Sequence, residues 1–176
     1  MELYFANTGD KESASKLFQW RNDSIVIRMS RSQKAVTWSE HLSWYQMHAS
    51  TQSMLLAKIK NTLVGQLRWT RTQDNIHSVA IELSIIVSPS HRGCGLGHQI
   101  LKKGLIRLQQ QMKKCNSREK KETDITLWAQ VHHNNTASLA IFRKNGFQTF
   151  SGRKKRPTLE TEWTFLYLSL EKVGET

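Results

Sequence analysis

Residues 79–101 read VAIELSIIVSPSHRGCGLGHQIL, and they constrain the fold more than any other stretch of the chain. The run reads as a strand, a short loop, a glycine-rich turn and the first turn of a helix. The turn is Arg92-Gly93-Cys94-Gly95-Leu96-Gly97, an R-x-x-G-x-G pattern. A glycine-rich turn feeding a helix exposes several unpaired backbone N–H groups that point one way. The helix dipole adds partial positive charge at the same place. Together they make an anion site from backbone alone, and a diphosphate is its natural occupant. A Cβ at the glycines would block close approach or the required backbone angles. The pattern is not a Walker loop, because no Gly-Lys-Ser/Thr follows the last glycine. Nor is it a dinucleotide fingerprint, since glycines at 93, 95 and 97 miss the G-x-G-x-x-G spacing. Taken alone, the turn is equally compatible with a tight turn that binds nothing.

The remaining chain is read around this segment. A length of 176 residues suits one domain over 1–176 with a proper core. No apolar run approaches the roughly 18 residues of a membrane span, and Met1-Glu2-Leu3-Tyr4 does not open a signal peptide. Two cysteines, Cys94 and Cys115, make no disulfide framework, and neither has a metal-like neighbour at suitable spacing. A cytoplasmic setting and no metal are the resulting expectations. The net charge of +12 and a pI near 10 suit a nucleic acid, an acidic surface or a polyanionic small molecule. Basic clusters lie at Lys113-Lys114, Arg118-Glu119-Lys120-Lys121 and Arg153-Lys154-Lys155-Arg156, each of which reads first as a solvated loop. Without zinc-finger spacing or an RNP-like aromatic motif, nucleic acid is not favoured.

Periodicity places the elements. Residues 2–6 form a first strand, and Asp10 caps a helix from about Lys11 to Trp20. Residues 22–36 read as a loop or short helix. Thr37-Trp38-Ser39-Glu40 is a T-x-x-E capping box, opening a helix to about His48 with Trp38, Leu42 and Tyr45 inward. Met54–Lys60 and Leu63–Thr70 are strands joined at Asn61-Thr62, with another turn at Asp74-Asn75. After Gly97, Leu101, Leu105, Leu108 and Met112 form a core stripe. Residues 114–124 read as a charged loop. Ile125–Val131 is a strand, Thr136–Lys144 a helix, Gln148–Gly152 a strand, and Trp163–Leu170 a last strand covered on both faces.

The segment 125–147, ITLWAQVHHNNTASLAIFRKNGF, completes a pattern. With Val87-x-Pro89 and R-x-x-G-x-G, its strand, Asn135, Ser138 and terminal Lys144-Asn145-Gly146-Phe147 resemble the GCN5-related N-acetyltransferase (GNAT) superfamily. The resemblance covers essentially the whole chain. It implies an α/β fold: a mixed, mostly antiparallel central sheet of about seven strands, splayed at the acetyl-CoA site and flanked by helices. Acetyl-CoA would then be the co-substrate. Its pantetheine arm would pair with the backbone of Ile85, Ile86 and Val87, and its pyrophosphate would lie on Arg92, Gly93, Cys94, Gly95, Leu96 and Gly97. By the same resemblance Asn135 and Ser138 contact the cofactor. Direct attack in a ternary complex leaves Cys94 no role as a nucleophile. Glu82, on the same strand face as Ser84 and Ile86, is the candidate general base. The family often has Tyr seven residues after the motif Asn, where this chain has Phe142, which has no proton to give.

Trp20-Arg21-Asn22 with Glu40-His41-x-x-Trp44 resembles, within the superfamily, the pseudaminic-acid-pathway enzymes that acetylate the 4-amino group of a UDP-linked amino sugar. More loosely, it is similar to ribosomal-protein N-terminal and aminoglycoside acetyltransferases. The resemblance puts Arg21, Asn22 and His41 at the acceptor, with Arg21 able to grip a phosphate and His41 able to bind or deprotonate. Positive charge favours an anionic small-molecule amine over a protein amine, and both over a polycationic aminoglycoside. An acetyl-CoA-binding regulatory module is the non-enzyme alternative. The aromatic last strand is compatible with a homodimer or with closure of the sheet.

Overall fold

The computed structural model describes residues 1–74, 78–119, 124–149 and 162–170. In chain order these form β1 (Glu2–Phe5), α1 (Lys11–Arg21), the short α2 (Ser24–Arg28), α3 (Trp38–Ser50), β2 (Met54–Ile59), β3 (Thr62–Asp74) and β4 (Ser78–Val87). A single 3₁₀ turn (Pro89–His91) leads to α4 (Leu96–Glu119), β5 (Asp124–His132), α5 (Thr136–Lys144), β6 (Gln148–Thr149) and β7 (Trp163–Leu170). The strands make one seven-stranded sheet in the order β1-β2-β3-β4-β5-β7-β6. Ladders β1–β2, β2–β3, β5–β7 and β6–β7 are antiparallel, and β4–β5 is parallel. The mixed, mostly antiparallel α/β sheet expected from the resemblance is therefore present. A parallel pair needs a crossover connection, and the segment carrying α4 supplies it. Among the described residues no helix is long and apolar enough to cross a membrane.

Local chemistry sets the helix starts. Asp10 accepts from Ser13 N at 2.9 Å at the head of α1. Thr37 and Glu40 close the expected capping box on α3, with Glu40 Oε2 2.7 Å from Thr37 N. Two expectations need correction. Residues 114–119 are helical, not loop: α4 runs to Glu119. Lys, Glu and Arg favour helix, and the buried stripe Leu101, Leu108 and Met112 anchors the turns before them. Trp38 is 40% exposed, whereas His41, Tyr45, His48 and Ala49 of α3 are buried. Trp38 lies on the same face, three and seven residues before His41 and Tyr45, but as the first residue of the helix it covers Phe18 and His41 from outside. The expected turn residue Asn75, the strand beyond Thr149, the side chains of Lys114–Lys121 and the Arg153–Arg156 cluster lie outside the described residues.

Contacts group the chain into two compact units. One comprises Met1–Arg68 and Ile85–Ile100. Its core gathers Leu17, Trp20, Tyr45, Met54 and Leu56, with Ile86 packed against them. Each large apolar side chain so buried contributes about 1.5–3 kcal/mol. Gly65 lies against β4 here: a Cβ on it would stand 2.6 Å from Ile100 Cδ1 and 2.8 Å from the Ile86 carbonyl oxygen.

The second unit comprises Trp69–Ser84 and Leu101–Thr176. Val79, Ile81 and Leu83 alternate inward on β4, as do Ile125, Leu127, Ala129 and Val131 on β5. The parallel ladder runs from Ser78↔Asp124 to Glu82↔Trp128 and goes no further. β5 nevertheless continues beside β7 to His132↔Trp163, while β4 continues to Val87.

Gly65→Ala therefore tests the packing beneath the end of β4. The clash with a backbone oxygen cannot be relieved by a rotamer change, so the variant should lose about 1–3 kcal/mol in chemical denaturation. An unchanged midpoint would contradict this packing.

Candidate active site

The loop after β4 is tied down at its base. Ser88 N donates to the Val64 carbonyl at 2.9 Å. Ser88 Oγ, Ser90 Oγ and His91 Nδ1 lie 2.9–3.2 Å apart. Beyond this base Gly93 and Gly95 take φ values of +79° and +72°, a region that L side chains disfavour. An added Cβ at either would meet nothing within 4 Å. Backbone conformation, not crowding, demands glycine there, and the space beside both is open.

Gly95 O accepts from Gln99 N at 3.4 Å, which makes Gly95 the N-cap of α4. Glycine has no side-chain oxygen to satisfy the first-turn donors, which Ser, Thr, Asp or Asn would do. The first turn of α4 also contains no acidic residue. The N–H groups of Leu96 and Gly97 have no carbonyl four residues back within the helix, and the 24-residue helix adds its dipole. Open space, aligned donors and absence of carboxylate fit a diphosphate. Cys94 is exposed, with Sγ 3.7 Å from the Arg92 carbonyl.

Arg92 has a carboxylate partner. Its Nη2 donates to Asp23 Oδ1 at 3.1 Å. The same Asp23 oxygen accepts from Val26 N at 3.3 Å and caps α2. No sequence pattern marks this pair, although an Asp before a short apolar run does signal a cap.

The three residues expected at the acceptor have internal partners. Asn22 binds the backbone of Val36 twice: Nδ2 donates to its carbonyl and Oδ1 accepts from its N–H, both at 2.9 Å. This closes the segment 22–36 on itself. His41 is 3% exposed, and its Nε2 lies 3.0 Å from the Ala14 carbonyl, so that nitrogen carries the proton. Burial pushes its pKa below the ordinary value, and its ring packs with Phe18, Trp38 and Trp44. Asn22 and His41 thus serve the fold at these atoms. Arg21 differs. Its Nη2 donates to Ser32 Oγ at 3.0 Å, but its Nη1 is buried without a hydrogen-bond partner. Desolvation lowers its pKa.

In the second unit, Glu82 is half-buried at the last rung of the parallel ladder, on the face opposite Ile81 and Leu83. Asn135 caps α5, its Oδ1 accepting from Ser138 N at 3.1 Å. The Asn-x-x-Ser spacing is thereby a helix cap. Phe142 is 2% exposed and packs edge-on to Phe147 at 5.1 Å. Among the described residues no group of three or more His, Cys, Asp or Glu is placed to hold a metal ion.

A mostly antiparallel α/β sheet in which a glycine turn carries β4 into the N-terminus of α4 suits an acyltransferase of the coenzyme A-dependent kind. The profile of the acetyltransferase (GNAT) domain matches residues 50–149, and the chain belongs to that family. It is an acyltransferase with acetyl-CoA as co-substrate. No curated protein sequence matches the chain. Solved structures similar to it include YncA of Salmonella typhimurium, described as an acetyltransferase with acetyl-CoA as its cofactor. That likeness has 17% identity and a TM-score of 0.65, covering 100% of this chain and 95% of the other. A ribosomal-protein-alanine N-acetyltransferase of Brucella melitensis is similar at 21% identity and TM-score 0.64, over 97% and 99% of the two chains. A GNAT-family acetyltransferase of Streptococcus pneumoniae follows at 17% and 0.65, over 96% and 99%. At these identities the likeness establishes the fold.

One titration follows from the α3 packing. His48 is 2% exposed, and burial, with Arg68 nearby, pushes its pKa down to about 4. The unfolded chain takes up that proton near the ordinary value of about 6.5. Stability from this residue is therefore complete above that value and is lost as pH falls toward 4. His48→Gln should show a smaller drop in urea midpoint between pH 7 and pH 5 than the wild type. Equal drops would contradict the assignment.

Proposed function

We propose that this chain transfers an acetyl group from acetyl-CoA to the amine of an anionic small molecule. The acceptor we favour is the 4-amino group of a UDP-linked amino sugar. The observation that carries the acetyl-CoA placement is the α4 N-terminus, with its glycine N-cap and open approach. On this reading the N–H groups between Gly93 and Gly97 take the diphosphate. The backbone of Ile85, Ile86 and Val87 holds the pantetheine, and one of its N–H groups polarises the acetyl carbonyl.

The acceptor amine attacks the thioester carbon, the C–S bond breaks, and the amine proton passes to Glu82 directly or through water. Phe142 supplies no proton, so coenzyme A leaves as the thiolate and is protonated by solvent. The net charge of +12 and the buried, incompletely bonded Arg21 guanidinium support an anionic acceptor. A phosphate would satisfy the remaining Arg21 donor after the exposed Ser32 segment shifts. A second reading, a ribosomal or other protein amine, draws on the fold shared with the Brucella enzyme and on a charge suited to an RNA-rich partner.

Thiol release from acetyl-CoA separates these readings when UDP-linked 4-amino sugars, basic peptides and aminoglycosides are offered in parallel. Release with the amino sugar alone is the expected result. Release with peptides alone would transfer the assignment to protein amines, and acetyl-CoA binding without release would leave a binding module. Gly95→Val should weaken acetyl-CoA binding by more than about tenfold, since a β-branched residue cannot hold this left-handed turn cheaply. Undiminished affinity would remove the loop from the site. Glu82→Gln should lower turnover about 100-fold with acetyl-CoA affinity little changed. A pH–rate profile identical to wild type would exclude Glu82 as the base.

A further inference from the structure

The glycine-rich turn is anchored unequally along its length. At its far end Leu96 is 8% exposed and seated in the fold. At its middle, Gly93 and Gly95 have no side chains, and open space surrounds their missing Cβ positions. Cys94 is exposed and contacts only the Arg92 carbonyl among its side-chain hydrogen bonds. At the near end the loop base is fixed by Ser88, Arg92 N donates to the Pro89 carbonyl at 3.5 Å, and the Arg92 side chain adds a long-range anchor. Its guanidinium crosses to Asp23, 69 positions away in sequence, at 3.1 Å. The pair is part-buried, with side-chain exposures of 32% for Arg92 and 26% for Asp23. Because Asp23 Oδ1 also accepts from Val26 N, one carboxylate oxygen serves both the N-cap of α2 and the first residue of the turn.

We propose that Asp23 is a positioning residue for acetyl-CoA. Through Arg92 it pins the start of the turn to the N-cap of α2, and so fixes the direction of the N–H groups that receive the diphosphate. This rests on the phosphate-loop assignment above. Arg92 accordingly acts as a structural tether whose charge is already matched by Asp23, and the diphosphate is held by backbone. Ordering a donor array before the ligand arrives lowers the entropy lost on binding, and a turn with two glycines has much freedom to lose.

The tether and direct phosphate contact by Arg92 predict effects of opposite sign. If Arg92 gripped the diphosphate, Asp23 would compete for it, and removal of the Asp23 charge would tighten binding. Simple Coulomb repulsion between Asp23 and the coenzyme gives the same direction. If Asp23 pins the turn, removal of its charge weakens binding. Asp23→Asn suits the test, because Asn caps a helix as well as Asp does while losing the ion pair.

Acetyl-CoA titration by calorimetry should show Asp23→Asn and Arg92→Gln each weaker than wild type by about three- to tenfold, with the double variant no weaker than either single change. Hydrogen exchange at the Gly93–Gly97 amides should quicken in Asp23→Asn while the core amides of β2 keep wild-type rates. Undiminished or tighter binding by Asp23→Asn, or additive losses in the double variant, would overturn the tether. If Asp23→Asn fails to fold, Arg92→Gln answers through the exchange readout, where unchanged loop amides would overturn it equally. Wild-type protein that binds no acetyl-CoA would instead defeat the loop assignment itself, and the tether with it.

Discussion

α4 begins at Leu96 behind a glycine N-cap, and the donors of its first turn receive no side-chain acceptor from that cap. A buried helix end in this condition would be costly. Here the turn before it is exposed, its two glycines sit at positive φ, and no carboxylate lies in the first helical turn. The local arrangement makes an anion at this point favourable. The acyltransferase chemistry of the family requires such a hold on coenzyme A, remote from the bond that reacts.

The rest of the first unit supports that helix end. Gly65 lets the backbone of β4 and Ile100 of α4 approach closely, and Ser88 fixes the loop base to Val64. Asp23 reaches the turn from α2. Asn22, by closing residues 22–36 through two bonds to Val36, holds the segment that carries Asp23. Asn22, expected at the acceptor, is thus tied by both of its amide atoms to the backbone of Val36.

Much of this frame was readable from residue patterns because it depends on local chemistry. The run from Val79 to Leu101 announces strand, turn and helix through apolar spacing and glycine. Thr37 with Glu40 announces a helix start through the reach of short polar side chains, whereas the cap that Asn135 makes on α5 came only with the structure. The sequence patterns did not reveal features made by long-range packing. Arg92 meets Asp23 only after the chain has folded, and His41 looks like a reactive group until Ala14, Phe18 and Trp44 enclose it. Trp38 looks like core because it is apolar, yet its place in the first turn of α3 leaves it 40% exposed. The extension of α4 to Glu119 was hidden by a charged composition that serves a solvated helix as well as a loop.

The central claim is that backbone N–H groups of the glycine turn receive the coenzyme. Amide NMR of labelled protein titrated with acetyl-CoA tests it most directly. The account predicts large saturable shifts at Gly93, Gly95, Leu96 and Gly97, with further shifts at Ile85–Val87. Binding that shifts other amides and leaves the 93–97 amides where they were would contradict it.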